Sequence, residues 1–472
     1  MTPTNAHSDL LNTLNQMKQH NMAEGPAGAE LRKDRLQRAI KLIKENHRDL
    51  SEAMSKDFGH RSVYQSSTAD IATTIKLLKD AIENLSNWMQ DQPVEAPEPG
   101  MKAWIQQQPL GVIGIISPWN FPINLSFGPL ASVFAAGNTA MLKPSELTPK
   151  TSALLAELVA RYFSPKELTV VLGDAEVGKA FSSLPFDHLI FTGSTAVGKH
   201  IMRAAAENLV PVTLELGGKS PAVIDEDADI VQAAERIMTV KTFNVGQICI
   251  SPDYLLLPED KVETFVEAAK SFVQSSFPTM QESPDYTSII SDNHYKRLIG
   301  LLEDAKEKGA NVISLAAEGE VDYDESSRKI APFLIFNVND DMAIMQEEIF
   351  GPLLPVKTYA RPEETVAYIN SNPRPLAAYY FGDDTERQQA FALNTISGGL
   401  VINDVMTHVS VETLPFGGVG PSGMGAYHGI HGFKRFTHEK AVVLQSKDGA
   451  SGKRLRAPYK DKQAALEEML DS

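Results

Sequence analysis

Residues 187–207 read DHLIFTGSTAVGKHIMRAAAE, and the reading of their middle decides the fold. A short apolar run ends at Gly193, and helical spacing starts at Ala196. From Gly193 through Gly198 and Lys199 the order matches the P-loop of nucleotide hydrolases, but His200 stands where a Ser or Thr would hold Mg²⁺. The stretch does not spell Gly-x-Gly-x-x-Gly either, so a working NTPase is not expected. Two readings stay open. One is a plain glycine-permitted strand-to-helix turn; the other is a turn whose amide groups and helix dipole hold a phosphate.

The neighbouring segments repeat the alternation. GVIGIISP (111–118), NTAMLKPSE (138–146), LTVVLG (168–173) and VTLELGG (212–218) read as buried strands, and TPKTSALLAELVARYF (148–163) as a helix. Upstream, Leu36, Ile40, Ile43, Leu50 and Met54, then Ile71, Ile75, Leu78, Ile82 and Leu85, give two amphipathic helices over 31–58 and 69–90. Buried strands alternating with helices predict a parallel sheet covered on both faces. A second alternating region follows: DADIVQAAERIMTVKTFNVGQ (227–247) as helix, DYLLLP (253–258) as strand and KVETFVEAAKSFVQSSF (261–277) as helix. Segments 301–314 and 357–371 continue it, while the acidic stretch 315–330 reads as a surface loop. The proline-rich DQPVEAPEPGMK (91–102) reads as an exposed arm, and PFGGVGPSGMGAYHG (415–429), with six glycines, as a long structured loop.

Composition narrows the function. The chain has 472 residues and a formal net charge of −16, which disfavours nucleic acid and anionic membrane as partners. One cysteine, Cys249, leaves no intrachain disulfide or multi-cysteine metal site, so no metal is expected, and it suits a reducing, cytoplasmic compartment. No run approaches the ~18 apolar residues of a membrane span, and the charged KRLRAPYKDKQAALEEML tail reads as no membrane anchor.

Several residues carry chemical potential. Cys249, in NVGQICISPDY, follows a Gly-Gln turn that places it near a helix start, where its thiol pKa would fall; most lone cysteines are inert core residues instead. Glu215 sits inside an apolar strand before two glycines and suits a general base with a raised pKa. Asn120, in SPWNFP, could donate to an oxyanion or merely cap a turn. Glu347 and Glu348, in QEEIFGP, taken alone resemble a solvated pair.

Taken in order, SPWNFP, GNTAMLKPSE, FTGSTAVGK, LELGGKSP, GQICISPDY, EEIFGP and LPFGGVGPSGMGAYHG resemble the aldehyde dehydrogenase superfamily from about residue 30 to 445. PDY after the cysteine and GMGAYHG look like its class 3 branch. The resemblance implies two doubly wound α/β domains, a Rossmann-like NAD(P)-binding domain (1–90 and 107–215) and a catalytic domain (216–405). It also implies a small β oligomerisation arm (91–106 and 430–472) and a Gly-rich return segment (406–429). It assigns Cys249 as nucleophile, Asn120 as oxyanion donor and Glu215 as the base that activates water against a thioester. For the cofactor it assigns Lys143 to the adenine ribose with Ser145 and Glu146 beside it, and Gly193, Ser194 and Gly198 to the pyrophosphate turn. It gives Glu348 and Phe350 to the nicotinamide ribose and ring, and Trp119, Leu216 and Gly217 as further cofactor-binding residues. Glu146 favours NAD, with NADP as the alternative. His428 is expected to orient its neighbours without catalysing.

The implied substrate is an aromatic aldehyde of the coniferyl type or an apolar aliphatic one, with Phe121 and Ile250 lining the funnel. Where the family usually has a small residue, Val245 is expected to alter access to the thiol. The implied assembly is a homodimer. Long-chain aldehyde oxidation and acylation of coenzyme A are the alternatives within the family, and Glu215 argues against the second. A thiol hydrolase lacks a histidine near Cys249 in sequence, and an ATP-dependent enzyme lacks the hydroxyl at position 200.

Overall fold

The computed structural model describes residues 3–447, 449 and 451–472; positions 1, 2, 448 and 450, which belong to two of the expected segments, lie outside the described residues. Alternation in the sequence becomes two large sheets. Along the first, the strands run Gly423–Met424, Val212–Glu215, His188–Thr192, Val112–Ile116, Thr139–Lys143 and Leu168–Val170. All neighbours are parallel except the short Gly423–Met424 edge. The chain steps outward from the strand Val112–Ile116 and then returns to its other side, leaving a topological switch between it and His188–Thr192. In such sheets ligands bind beyond the carboxyl ends of the strands at that switch.

Period-two side chains explain why these strands are apolar throughout. Ile113, Ile115, Ala140 and Leu142 face a core built with helices Ala29–Phe58, Thr73–Trp88, Asn124–Ala135 and Pro149–Tyr162. Val112, Ile116 and Met141 face the opposite core, which receives Phe181, Ile201 and, from the N-terminal helix Pro3–Glu24, Leu14 and Met17.

The second sheet runs Asn311–Ser314, Phe333–Phe336, Leu353–Tyr359, Tyr254–Pro258, Pro221–Ile224, Ala377–Phe381 and Gly399–Ile402. Only its Asn311–Ser314 edge is antiparallel. A third, antiparallel sheet joins Gln92–Val94, Lys102–Pro109 and Thr437–Leu444, as the arm requires. The preceding helix Gly429–Arg435 belongs elsewhere, since Phe433 and Phe436 are buried in the first sheet's core.

Two sequence expectations are corrected. The helix expected to run to Gln247 ends at Thr242, because Asn244, Val245 and Gly246 all take positive φ. The acidic stretch 315–330 is only partly a surface loop: it holds the hairpin Tyr323–Asp324 with Lys329–Ile330, and Leu315 and Ile330 are buried.

Candidate active site

The cleft lies where the carboxyl ends of the first sheet face the amino ends of the second. Pro118–Asn120 follow one first-sheet strand, Gly193–Ala196 a second, and Leu216–Lys219 a third. Across from them, Cys249 precedes Tyr254–Pro258, Glu348 and Phe350 precede Leu353–Tyr359, and Asn372–Arg374 precede Ala377–Phe381. A cavity of about 900 Å³ separates the two sets.

Ten of the fourteen expected site residues line this cavity. Trp119, Asn120, Gly193, Ser194 and Glu215 come from the first sheet's side, followed by Leu216 and Gly217. Cys249, Glu348 and Phe350 come from the second. Lys143, Ser145 and Glu146 stand apart, beyond the neighbouring strand Thr139–Lys143, where Lys143 Nζ is 2.7 Å from Glu146 Oε2. Gly198 lies beneath the cleft, and a Cβ there would sit 2.6 Å from a Leu216 methyl.

The opening stretch resolves as a strand, His188–Thr192, and a helix, Thr195–Ala206, joined by Gly193 and Ser194. Ser194 caps the helix through a long 3.4 Å bond from Val197 N–H, and His200 points outward, exposed. The N-terminal end of the helix thus lies on the cavity wall, where its positive pole would favour an anion.

Cys249 is partly exposed and flanked by two carboxylates. Burial first, then the charges of Glu348 and Glu215, push its thiol up to about 12; the amides of Cys249 and Ile250 point at the sulfur and oppose this without prevailing. The expected helix-start activation fails because a left-handed turn, and no helix N-terminus, precedes the residue. Activation must come from a base or a positive charge brought to the cleft. Glu215 is buried, and both of its carboxylate oxygens lack hydrogen-bond partners. Desolvation holds it well above the carboxylate range, only partly offset by Arg435.

Glu348 is no solvated residue, in contrast to Glu347, which is half exposed near Arg297. Burial and Asp253 raise Glu348 to about 8. Its carboxylate lies against the 217–218 backbone, where a Cβ on Gly217 would fall 2.0 Å from Oε2, and its Oε1 has no partner. An orphan buried acceptor, a glycine cradle and a helix N-terminus in one groove fit a dinucleotide with ribose hydroxyls and a pyrophosphate.

Asn120 is 2% exposed, and its amide donates to Gln247 O at 3.2 Å. Trp119 is wedged among Phe58, His294 and Phe350. Phe350 itself has φ +50°, and its segment is pinned by Ile349 N–H to Asp253 at 2.8 Å and by the Lys219–Asp253 ion pair.

Three expectations are corrected here. Phe121 and Ile250 are buried and do not line the cavity; Leu125 does. Val245 is fully buried in the second sheet's core, so its branches do not stand in front of the thiol. His428 does sit among aromatic rings, stacked on Phe416 at 5.3 Å and edge-on to Tyr427. Sequence reasoning missed His294, Arg297 and Arg374, which line the cleft from helices and loops distant in the chain.

A two-sheet cleft with a cysteine on one side and a dinucleotide groove on the other defines an oxidoreductase that works through a thiol. The aldehyde dehydrogenase family model matches residues 14–442, and the chain belongs to that family. It is 56% identical to a coniferyl aldehyde dehydrogenase of Pseudomonas sp. over 95% of this chain and 94% of that protein. The substrate-bound state of Staphylococcus aureus AldH superposes with a TM-score of 0.91 at 38% identity, covering 97% of this chain and 99% of that one. The betaine aldehyde dehydrogenase of Staphylococcus aureus in complex with NAD⁺ superposes with a TM-score of 0.83 at 25% identity, covering 94% and 88%.

Proposed function

We propose that the chain oxidises aromatic aldehydes of the coniferyl type to their carboxylic acids with NAD, through a thioester on Cys249. The observation that carries this reading is the convergence of Cys249, Glu215, Asn120 and Glu348 on one cavity. The coniferyl class rests on the 56% identical relative, and the cofactor on the fit of the groove and the NAD⁺-bound structural neighbour.

In this reading the Cys249 thiol first gives its proton to water in the cleft, the thiolate adds to the aldehyde carbon, and the carbonyl π electrons move onto oxygen. The Asn120 amide, together with the Cys249 backbone N–H, holds that oxyanion. NAD, when bound, supplies the hydride acceptor; Glu348 and Phe350 would hold its nicotinamide ribose and ring, and Ser194 its pyrophosphate. Loss of hydride from the tetrahedral carbon leaves the Cys249 thioester. Glu215 then takes a proton from water, the oxygen attacks the acyl carbon, and the thiolate leaves as the acid forms. Glu146, paired with Lys143, would meet the adenine ribose in this reading, and its charge would disfavour a 2′-phosphate, which supports NAD over NADP.

The exposed edge of the third sheet, with Val443 and Leu444 at its surface, supports pairing of two copies into a homodimer. No helix among the described residues is long and apolar enough to cross a membrane, and the single thiol suits work in the cytoplasm. An aldehyde panel run with NAD and NADP separately tests the reading. Coniferyl aldehyde with NAD is expected to give the highest kcat/KM, and Cys249→Ser to lower it by ~10³-fold or more. Full activity in Cys249→Ser would refute the mechanism, and a preference for long aliphatic aldehydes would refute the substrate class.

A further inference from the structure

A buried ion pair far from the cysteine in sequence holds the residue that the mechanism needs most rigid. Arg61 and Asp70 are both fully buried, with Arg61 Nη2 2.9 Å from Asp70 Oδ2. Such a pair is costly to desolvate and is weak evidence of stabilisation alone, so its remaining contacts decide its role. Arg61 Nη1 donates to the backbone carbonyl of Asn120 at 3.0 Å. Phe58 and Phe121 cover the guanidinium at 4.9 and 5.1 Å, which explains why Phe121 is withdrawn from the substrate space. Asp70 Oδ1 accepts from Ile123 and Asn124 N–H, both at 3.0 Å, where the helix Asn124–Ala135 starts with no cap of its own. Asp70 itself lies in a π-helical turn, Ser66–Ala72, a departure from α geometry found mostly where function needs it.

The segment 120–124 is thereby gripped at both ends from one side. From the other side the nucleophile loop takes hold, with Asn244 Nδ2 donating to Asn120 O at 3.3 Å and Asn120 Nδ2 donating to Gln247 O. One amide proton of Asn120 remains for the cleft. We propose that Arg61, paired with Asp70, is a positioning residue for the oxyanion hole: it fixes the Asn120 backbone so that the free amide proton meets the developing oxyanion. A donor displaced by under an ångström loses much of its value in a site that cannot reorganise. A lysine at 61 would keep the charge beside Asp70 but lacks the planar fork that reaches two acceptors at once.

This inference rests on Asn120 being the oxyanion donor, and its test separates the two. The readout is the single-turnover rate of NADH formation in the full-length enzyme with saturating NAD. Asn120→Ala alone is expected to lower it by ~10²–10³-fold; no loss would sink the donor reading itself. Arg61→Lys is expected to cost about tenfold in the wild-type background and less than about twofold in the Asn120→Ala background, with the KM for NAD unchanged in both. A second variant guards against misfolding. Arg61→Met with Asp70→Asn removes both buried charges, keeps an oxygen for the Ile123 and Asn124 amides, and loses only the tether. It is expected to melt near wild type and to be as slow as Arg61→Lys. Wild-type rates in this pair, or losses that multiply with Asn120→Ala, would overturn the positioning role.

Discussion

The first sheet reaches the cleft with the carboxyl ends of its strands and the second with the amino ends of its own, and the two ends do different work. In the first, the switch between Val112–Ile116 and His188–Thr192 is left open, with the Thr195–Ala206 helix end facing the cavity. In the second, the corresponding carboxyl-end switch, between Pro221–Ile224 and Ala377–Phe381, is filled by the chain's own charges. Arg387 contacts Asp225 at 2.9 Å and Asp227 at 3.1 Å, and Tyr380 donates to Asp225. Asp384 caps the helix Thr385–Asn394 that begins there. The place where an anionic ligand would sit already holds carboxylates.

A doubly wound sheet therefore does not dictate a nucleotide site at its switch; the residues there do. The second sheet contributes instead through loops entering its strands, which follow helix C-termini such as that of Glu363–Ser371 and so offer no positive helix pole. Those loops bend sharply: Asn244 and Val245, just before Cys249, and Phe350, on the cavity wall, all sit at positive φ. Such conformations cost ~1–3 kcal/mol each and are stored where chemistry requires them.

The sharpest way to break this division is the pH dependence of thioester hydrolysis. Glu215 must be deprotonated to act as base, and burial raises its pKa. Below that pKa, turnover under deacylation-limited conditions should rise about tenfold per pH unit. Burial and the charges of Glu348 and Glu215 already hold the Cys249 thiol up at about 12, so acylation should keep gaining with alkali where hydrolysis levels off above the Glu215 pKa. Stopped-flow NADH formation compared with steady-state turnover across pH 6–10 would reveal the two slopes; a flat hydrolysis profile would remove Glu215 as the base.

Next in size is Gly217→Ala, whose Cβ would collide with the Glu348 carboxylate. The KM for NAD should rise about tenfold, with the thiol's reactivity toward an alkylating reagent little changed. Smallest for activity is Arg387→Ala at the filled switch. It leaves the buried Asp225 short of a partner, so stability should fall by about 1–3 kcal/mol in urea unfolding, while kcat/KM stays within about twofold. A large kinetic loss there would blur the distinction between the two switches.

The parallel strands of the first sheet and helices such as Ala29–Phe58 and Pro149–Tyr162 were legible in sequence because apolar runs and helical spacing report on neighbouring residues; the second-sheet strands Pro221–Ile224, Ala377–Phe381 and Gly399–Ile402 were not. Asn120, Glu215, Cys249 and Glu348 could be named from motifs, and they do share one cavity. The thiol's high pKa was not legible, since it depends first on burial and then on two carboxylates brought from residues 348 and 215. Nor was the Arg61–Asp70 pair, whose meaning appears only when both reach the 120–124 segment. Phe121 reads in sequence as a funnel residue because it adjoins Asn120; alternate residues of a turn point to opposite sides, and its ring went to Arg61.

Acyl transfer through Cys249 with hydrolysis by Glu215 has a signature that can be trapped. Glu215→Gln mixed with NAD and coniferyl aldehyde, quenched in acid and examined by intact-protein and peptide mass spectrometry, tests it most directly. A burst of about one NADH per subunit is expected, then slow turnover, with the acyl mass on the peptide containing Cys249. No burst with no adduct, or an adduct on any other residue, would contradict it.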